Sequence, residues 1–234
     1  MSTPSFTLVI GNKNYSSWSM RPWVLLTQFG IPFNEVLLKF HSAEWDARID
    51  RLSPSRLVPV LWDGEPGGAS STCVWDTLAI AEYVAERVPQ YPVWPRDPGA
   101  RARARSLTAE MHSGFRSLRN AMPMNIRGQH PGKGCTVEVA KDIARIKVLW
   151  REARREFAGC AGNGVFLFGE FCAADAMVAP VVMRFNTYHP LLAADTRAYC
   201  NAVSRAPGVA AWAAGAMLET EFVAEDEPYC PAPG

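Results

Sequence analysis

The chain has 234 residues, of which 48% are hydrophobic and 20% charged, with a formal net charge of +1. That length supports a sizeable core in one large or two small domains, and the charge balance argues against a nucleic-acid-binding surface or an acidic tail. No run approaches the roughly 20 apolar residues of a membrane span, and the opening MSTPSF has neither the basic region nor the apolar core of a signal peptide.

In chain order, FTLVI at 6–10 reads as a short buried strand. Residues 18–29 read as a helix: Trp23, Leu26 and Phe29 recur at near-helical spacing, and Gly30 with Pro32 ends the run. Pro22 is then expected near the first turn, where a missing N–H costs little. FNEVLLK at 33–39 is a second strand, and 43–52 a polar, weakly helical stretch. LVPVLWDGE at 57–65 reads as strand then turn, GEPGGASS as a long hairpin loop, and 74–75 as a short return strand. Residues 76–88 form a helix with Ile80, Val84 and Val88 on one face and Asp76 as its start signal.

Alternating strands and helices that end in a hairpin and a helix predict a compact mixed α/β domain over 1–88. PQYPVWPRDPG, with four prolines in eleven residues, reads as a linker over 89–99. Strand signals then fade, and helices are predicted at 100–122, 135–157, 175–188, 194–203 and 209–222, an all-helical region spanning 100–222. The alternating RARAR at 101–105 reads as a solvated helix face. Residues 223–234, polar and proline-rich, read as a mobile tail or a flap. Cys73, Cys135, Cys160, Cys172, Cys200 and Cys230 are scattered, with no C-x-x-C pair and no metal-ligand spacing to a histidine. This pattern fits a reducing cytoplasm and predicts neither a metal site nor dithiol chemistry.

Three short motifs carry chemistry. YSSWS at 15–19 places two serines where the first strand turns into the first helix. One serine is accounted for as an N-cap, and the second is left for another task. A thiolate at that turn would be stabilised by the helix dipole and a hydroxyl hydrogen bond. In LVPVL, Pro59 is either an edge-strand residue or a cis-proline that would offer the Val58 backbone to an extended peptide. In WDTLAI, Asp76 and Thr77 are a cap and first-turn residue. They could equally hold the amine and carboxylate of an amino-acid end.

Taken in this order, YSSWSMRPW, LVPVL, DTLAI and the later FCAADAMVAP resemble the glutathione transferase superfamily over about residues 5–222. The serine turn is nearest to the zeta class and related bacterial transferases. The resemblance implies a thioredoxin-like N-terminal domain followed by an all-α C-terminal domain. It places action on the glutathione thiol at Ser16, with Ser17 as a helix-start or supporting group. Val58, beside the family's cis-proline at Pro59, would pair with the cysteinyl part of glutathione, and Asp76 and Thr77 would hold its γ-glutamyl end. Two departures stand out. The zeta pattern has a cysteine where this chain has Trp18, which weighs against maleylacetoacetate-type isomerisation. Cys172 replaces the hydroxyl residue of the family's capping box, leaving Asp175 to reach back to the backbone.

The resemblance also sets the second substrate between the domains, against residues 110–127. Met111 and Phe115 lie at helical spacing, as a core stripe or a permissive apolar pocket. His112 and Arg119 are candidates to hold an anionic group, with Tyr15 and Trp18 lining the same mouth. The expected activity is conjugation of reduced glutathione, the co-substrate, to a small hydrophobic electrophile. No metal or nucleotide is required, and the expected assembly is a homodimer. Glutathione-dependent cis-trans isomerisation, peroxidase-like reduction and a non-enzymatic binding role are the alternatives.

Overall fold

The structure is a computed structural model and describes residues 5–157, 159 and 164–230. Strand β1 (Phe6–Ile10) leads through α1 (Ser17–Gln28) to β2 (Phe33–Leu37), then α2 (Ala43–Leu52), β3 (Val60–Asp63), β4 (Thr72–Val74) and α3 (Thr77–Arg87). The sheet order is β2-β1-β3-β4, with β1 parallel to β2 and antiparallel to β3. All of β1 is buried because both of its faces are covered. Phe6, Leu8 and Ile10 face the large core under α1, while Val9 packs with Leu38, Ile49, Leu52, Val60 and Trp62 against α2. This is the thioredoxin-like arrangement expected.

Among the described residues the elements that follow are helices, α4 (Pro98–Ser113), α5 (Arg116–Ala121), α6 (Val137–Phe157), α7 (Ala173–Tyr188), α8 (Ala194–Arg205) and α9 (Pro207–Met217), then a 3-10 turn at Ala224–Asp226, with two isolated β-bridges at Phe166–Gly169 and Phe168–Glu170. Among the described residues no helix is long and apolar enough to cross a membrane. Helix α1 packs against both α7 and α9, so one core runs from the sheet into the helical half.

Three expectations need correction. The helix read over 100–122 is two helices. A Cβ at Gly114 would meet the Glu110 carbonyl at 2.7 Å, and Phe115 turns the chain with a left-handed backbone at φ 56°. Pro22 lies in the second turn of α1 and not the first, because the helix already starts at Ser17. The last helix stops at Met217, since Glu219 is drawn across to accept the Lys13 and Asn14 N–H groups at 2.6 and 3.0 Å.

The segment after α9 is docked. Val223 and Glu227 are buried, and the Tyr229 hydroxyl donates to the Ala121 carbonyl at 2.7 Å. Residues 231–234 lie outside the described residues.

Candidate active site

The turn between β1 and α1 is wound on Asn12, whose carbonyl accepts the Tyr15 and Ser16 N–H groups at 3.2 and 2.7 Å. Ser16 stands at the N-cap position of α1, yet its side chain makes no capping bond. Its hydroxyl donates to Ser19 Oγ at 2.7 Å, and Ser19 Oγ also accepts the Gly11 N–H at 3.1 Å. Among the described residues the Trp18 and Ser19 N–H groups have no partner, so the electropositive end of a twelve-residue helix stays open. Ser16 and Ser17, both buried to within a few per cent, line a cleft of about 550 Å³.

Pro22 has no N–H to give the Trp18 carbonyl one turn back. The Thr77 hydroxyl fills the gap, donating to that carbonyl at 3.1 Å. Thr77 is therefore a buried brace between α1 and α3. Beside it Asp76 caps α3 through the Leu78 N–H (3.1 Å), and its other oxygen pairs with His112 Nε2. The His112 ring stands edge-on to Trp18 at 5.3 Å. The Val58–Pro59 bond is cis, Val58 lines the cleft, and its backbone N–H and C=O make no hydrogen bond among the described residues.

The opposite wall is cationic. Arg116, Arg119 and Asn120 from α5 and Arg184 from α7 face the cleft, with Asp226 as the acid on its rim. Arg184 is 4% exposed; its Nε donates to the Met122 carbonyl at 2.8 Å and its Nη2 lies 3.4 Å from Ser17 Oγ. Burial, then the neighbouring Arg119, lowers its pKa to about 10. Burial, then Arg116, lowers that of Arg119. Burial raises the Asp226 carboxyl to about 6, against the pull of Arg184. The Trp18 ring lies between the guanidinium groups of Arg21 (4.0 Å) and Arg119 (5.1 Å).

The C-terminal segment straps this cleft. Tyr15 Oη lies 2.6 Å from Glu227 Oε1 and 2.9 Å from the Glu221 carbonyl, and accepts from Arg127 Nη2 at 2.9 Å. Burial, then the Glu227 bond, raises its pKa. Lys39 pairs with Glu221 and His41 with Glu225.

Of the residues singled out from the sequence, Tyr15, Ser16, Ser17, Trp18, Val58 and Arg119 line one cleft, with Pro59 adjoining. Asp76 and Thr77 flank it through Trp18. Met111 and Phe115 do not line it: both are buried in the core, on the inward face of their segment. His112 is engaged by Asp76, not by the second-substrate side. The sequence reading missed Ser19, Phe40, Trp45, Arg116, Asn120, Arg184 and Asp226. A lone arginine in the apolar run of α7 was the available sign for Arg184.

Residues 15–87 match the family described as glutathione S-transferase, N-terminal domain. A probable maleylacetoacetate isomerase of Caenorhabditis elegans is 23% identical over 179 residues, 74% of this chain and 77% of the relative. A zeta-class glutathione S-transferase of Euphorbia esula is 25% identical over 193 residues, 79% and 81% of the two chains. The structure of a glutathione transferase homologue from Burkholderia with bound glutathione aligns with a TM-score of 0.64 at 22% identity, covering 91% of this chain and 98% of that one. A serine turn and a cis-proline strand line one cleft and an Asp-Thr helix start flanks it; the stretch that carries all three is similar to the glutathione S-transferase N-terminal domain, and the chain shares its fold with glutathione transferase structures.

Proposed function

We propose that the protein conjugates reduced glutathione to a small electrophile, with the glutathione sulfur held as a thiolate by the Ser16 hydroxyl and the open N-terminus of α1. The observation that carries this reading is the uncapped helix start: a hydroxyl at the N-cap position that bonds the Ser19 side chain, leaves the first helix N–H groups unbonded and lines the cleft. A free thiol titrates near 8.5, and each unit of lowering corresponds to about 1.4 kcal/mol of preference for the anion. A hydroxyl donor and a helix N-terminus together can supply one or two such units.

The unpaired Val58 backbone suits strand-like pairing with the cysteinyl residue. Asp76 suits the γ-glutamyl ammonium. With the Thr77 hydroxyl committed to Trp18, its share in carboxylate binding falls to the N–H groups at the start of α3. The chemistry as proposed needs no metal or nucleotide, and we place the protein in the cytoplasm as a homodimer. Three arginines on the far wall favour a second reading, isomerisation of an unsaturated diacid, in keeping with the name of the Caenorhabditis elegans relative. Trp18, where the zeta pattern has cysteine, weighs against it.

Glutathione titration followed by ultraviolet difference absorbance reads binding and thiolate formation together. Ser16→Ala is expected to abolish the thiolate signal at neutral pH and lower the conjugation rate at least about tenfold, one pKa unit's worth. Its glutathione affinity is expected to change far less. Full activity in Ser16→Ala would move the role to Ser17 or Tyr15. Turnover of a cis-diene diacid that exceeds conjugation in the wild type would favour the isomerase reading.

A further inference from the structure

Folding of the C-terminal segment gathers three side chains that the sequence scatters. His130, Glu227 and Cys230 each offer one donor atom, and these atoms all lie within 4.8 Å of one another. His130 Nε2 is 3.7 Å from Cys230 Sγ. Around tetrahedral zinc, bonds of about 2.0–2.3 Å set ligand atoms about 3.3–3.8 Å apart. The His130–Cys230 pair already meets that spacing, and the Glu227 oxygen needs to close by up to about 1.5 Å.

The backbone already holds the donors in place. The His130 N–H donates to the Thr187 carbonyl at 2.8 Å, and Gly132 to Tyr188 at 2.9 Å, pinning this loop to the end of α7. The Cys230 N–H donates to the Glu227 carbonyl at 3.1 Å, a turn that puts residues three apart on one side. The His130 ring lies 5.9 Å from both the Tyr188 and Tyr229 rings, which limit its rotation. Glu227 is 8% exposed; Tyr15 engages its Oε1, leaving the second carboxylate oxygen for a ligand bond. An orienting hydrogen bond of this kind is what metal-ligating carboxylates commonly carry.

We propose that His130, Glu227 and Cys230 form a zinc-class metal site, with a water in the fourth position, that fastens the C-terminal strap across the cleft. One nitrogen, one oxygen and one sulfur select a borderline-soft divalent ion over magnesium or calcium. Binding forms the metal–sulfur bond with loss of the Cys230 thiol proton to solvent. The bound ion would tie residues 227–230 to the loop at 130. Through Glu227 and Tyr15 it would steady the turn that carries Ser16.

The test titrates the full-length, reduced, metal-stripped protein with cobalt(II), then displaces it with zinc against a chromogenic chelator. One equivalent of cobalt is expected, with the near-ultraviolet sulfur-to-cobalt band of a bound thiolate. Cys230→Ser should abolish that band. His130→Ala should weaken zinc at least about tenfold, the lower end of what even a ligand's orienting partner is worth. Cys135→Ser, at an exposed cysteine, should leave both readings intact. Absence of the band in the wild type, its survival in Cys230→Ser, or unchanged zinc affinity in His130→Ala would each overturn the site. Far-ultraviolet circular dichroism and urea unfolding of the same variants serve as the folding control, and because the metal readings involve no glutathione, this outcome stays separate from that of the proposed transferase chemistry.

Discussion

Helices α1 and α7 pack against each other, and each carries a proline in its body, Pro22 or Pro180. Their N-termini are finished in opposite ways. At α7 the buried Asp175 reaches back to the Cys172 N–H at 3.1 Å, and its other oxygen takes the Leu167 N–H (3.1 Å) and the Tyr199 hydroxyl (2.9 Å). The positive end of that helix is neutralised within the core. At α1 no acidic residue stands in the first turn, and Ser16 bonds Ser19 in place of the helix N–H groups. One helix start serves folding. The other is left unfinished toward a cleft, where its field is available to an anion.

The contrast can be broken most forcefully at Asp175. Asp175→Ala strands two N–H groups and a hydroxyl in the core, and at about 1–3 kcal/mol each the expected loss is about 3 kcal/mol or more in urea unfolding. A loss below about 1 kcal/mol would leave the two helix starts energetically alike. Burial, partly offset by its hydrogen bonds, raises the Asp175 carboxyl to about 6. In the unfolded chain it titrates near 3.9. Between about pH 4 and about pH 6 the folded state therefore keeps a proton that the unfolded state releases, so this group's contribution to stability declines as pH rises through that window. Asp175→Asn should remove the decline.

A smaller effect separates brace from ligand contact at Thr77. Thr77→Val should cost about 1 kcal/mol by orphaning the Trp18 carbonyl. Adding Pro22→Ala supplies a backbone N–H to the same acceptor, so the double variant should recover most of the loss. Strictly additive effects would show that Thr77 does not stand in for the missing N–H.

The smallest expected change is a gain. Cys172→Ser replaces a weak sulfur acceptor at the α7 N-cap and should add about 0.5–1 kcal/mol. Ser16→Ala in the same assay should fall short of the about 1 kcal/mol of a lost cap. A full loss there would make Ser16 an ordinary capping residue.

The sheet-side half of the site was legible because its chemistry sits at chain punctuation. Ser16, Pro59 and Asp76 each mark the start of an element, where local rules apply. The helical wall was not legible in this way. Residues 111–123 carry two faces at similar spacing: the Met111–Phe115 stripe reads as core or as pocket and lies in the core, while Arg116, Arg119 and Asn120 occupy the cleft. A core stripe and a pocket stripe share one period, and only the tertiary partner tells them apart. Pro22 was misplaced because helix starts are read to within a residue or two. The tail's polar, proline-rich composition indicates no regular structure. Its docking depends on Tyr15, Lys39, His41 and Arg127, all remote in sequence.

The chain of contacts from Gly11 through Ser19 to Ser16 has a kinetic meaning. The Ser16 hydrogen points at an oxygen already satisfied by a backbone amide. Under the proposed chemistry, an arriving sulfur anion needs only a single torsion of that hydroxyl to claim it. Little solvent shell has to be stripped from a group so nearly sealed from water, so the reorganisation cost of activation falls on the turn after β1 that presents the Gly11 N–H to Ser19.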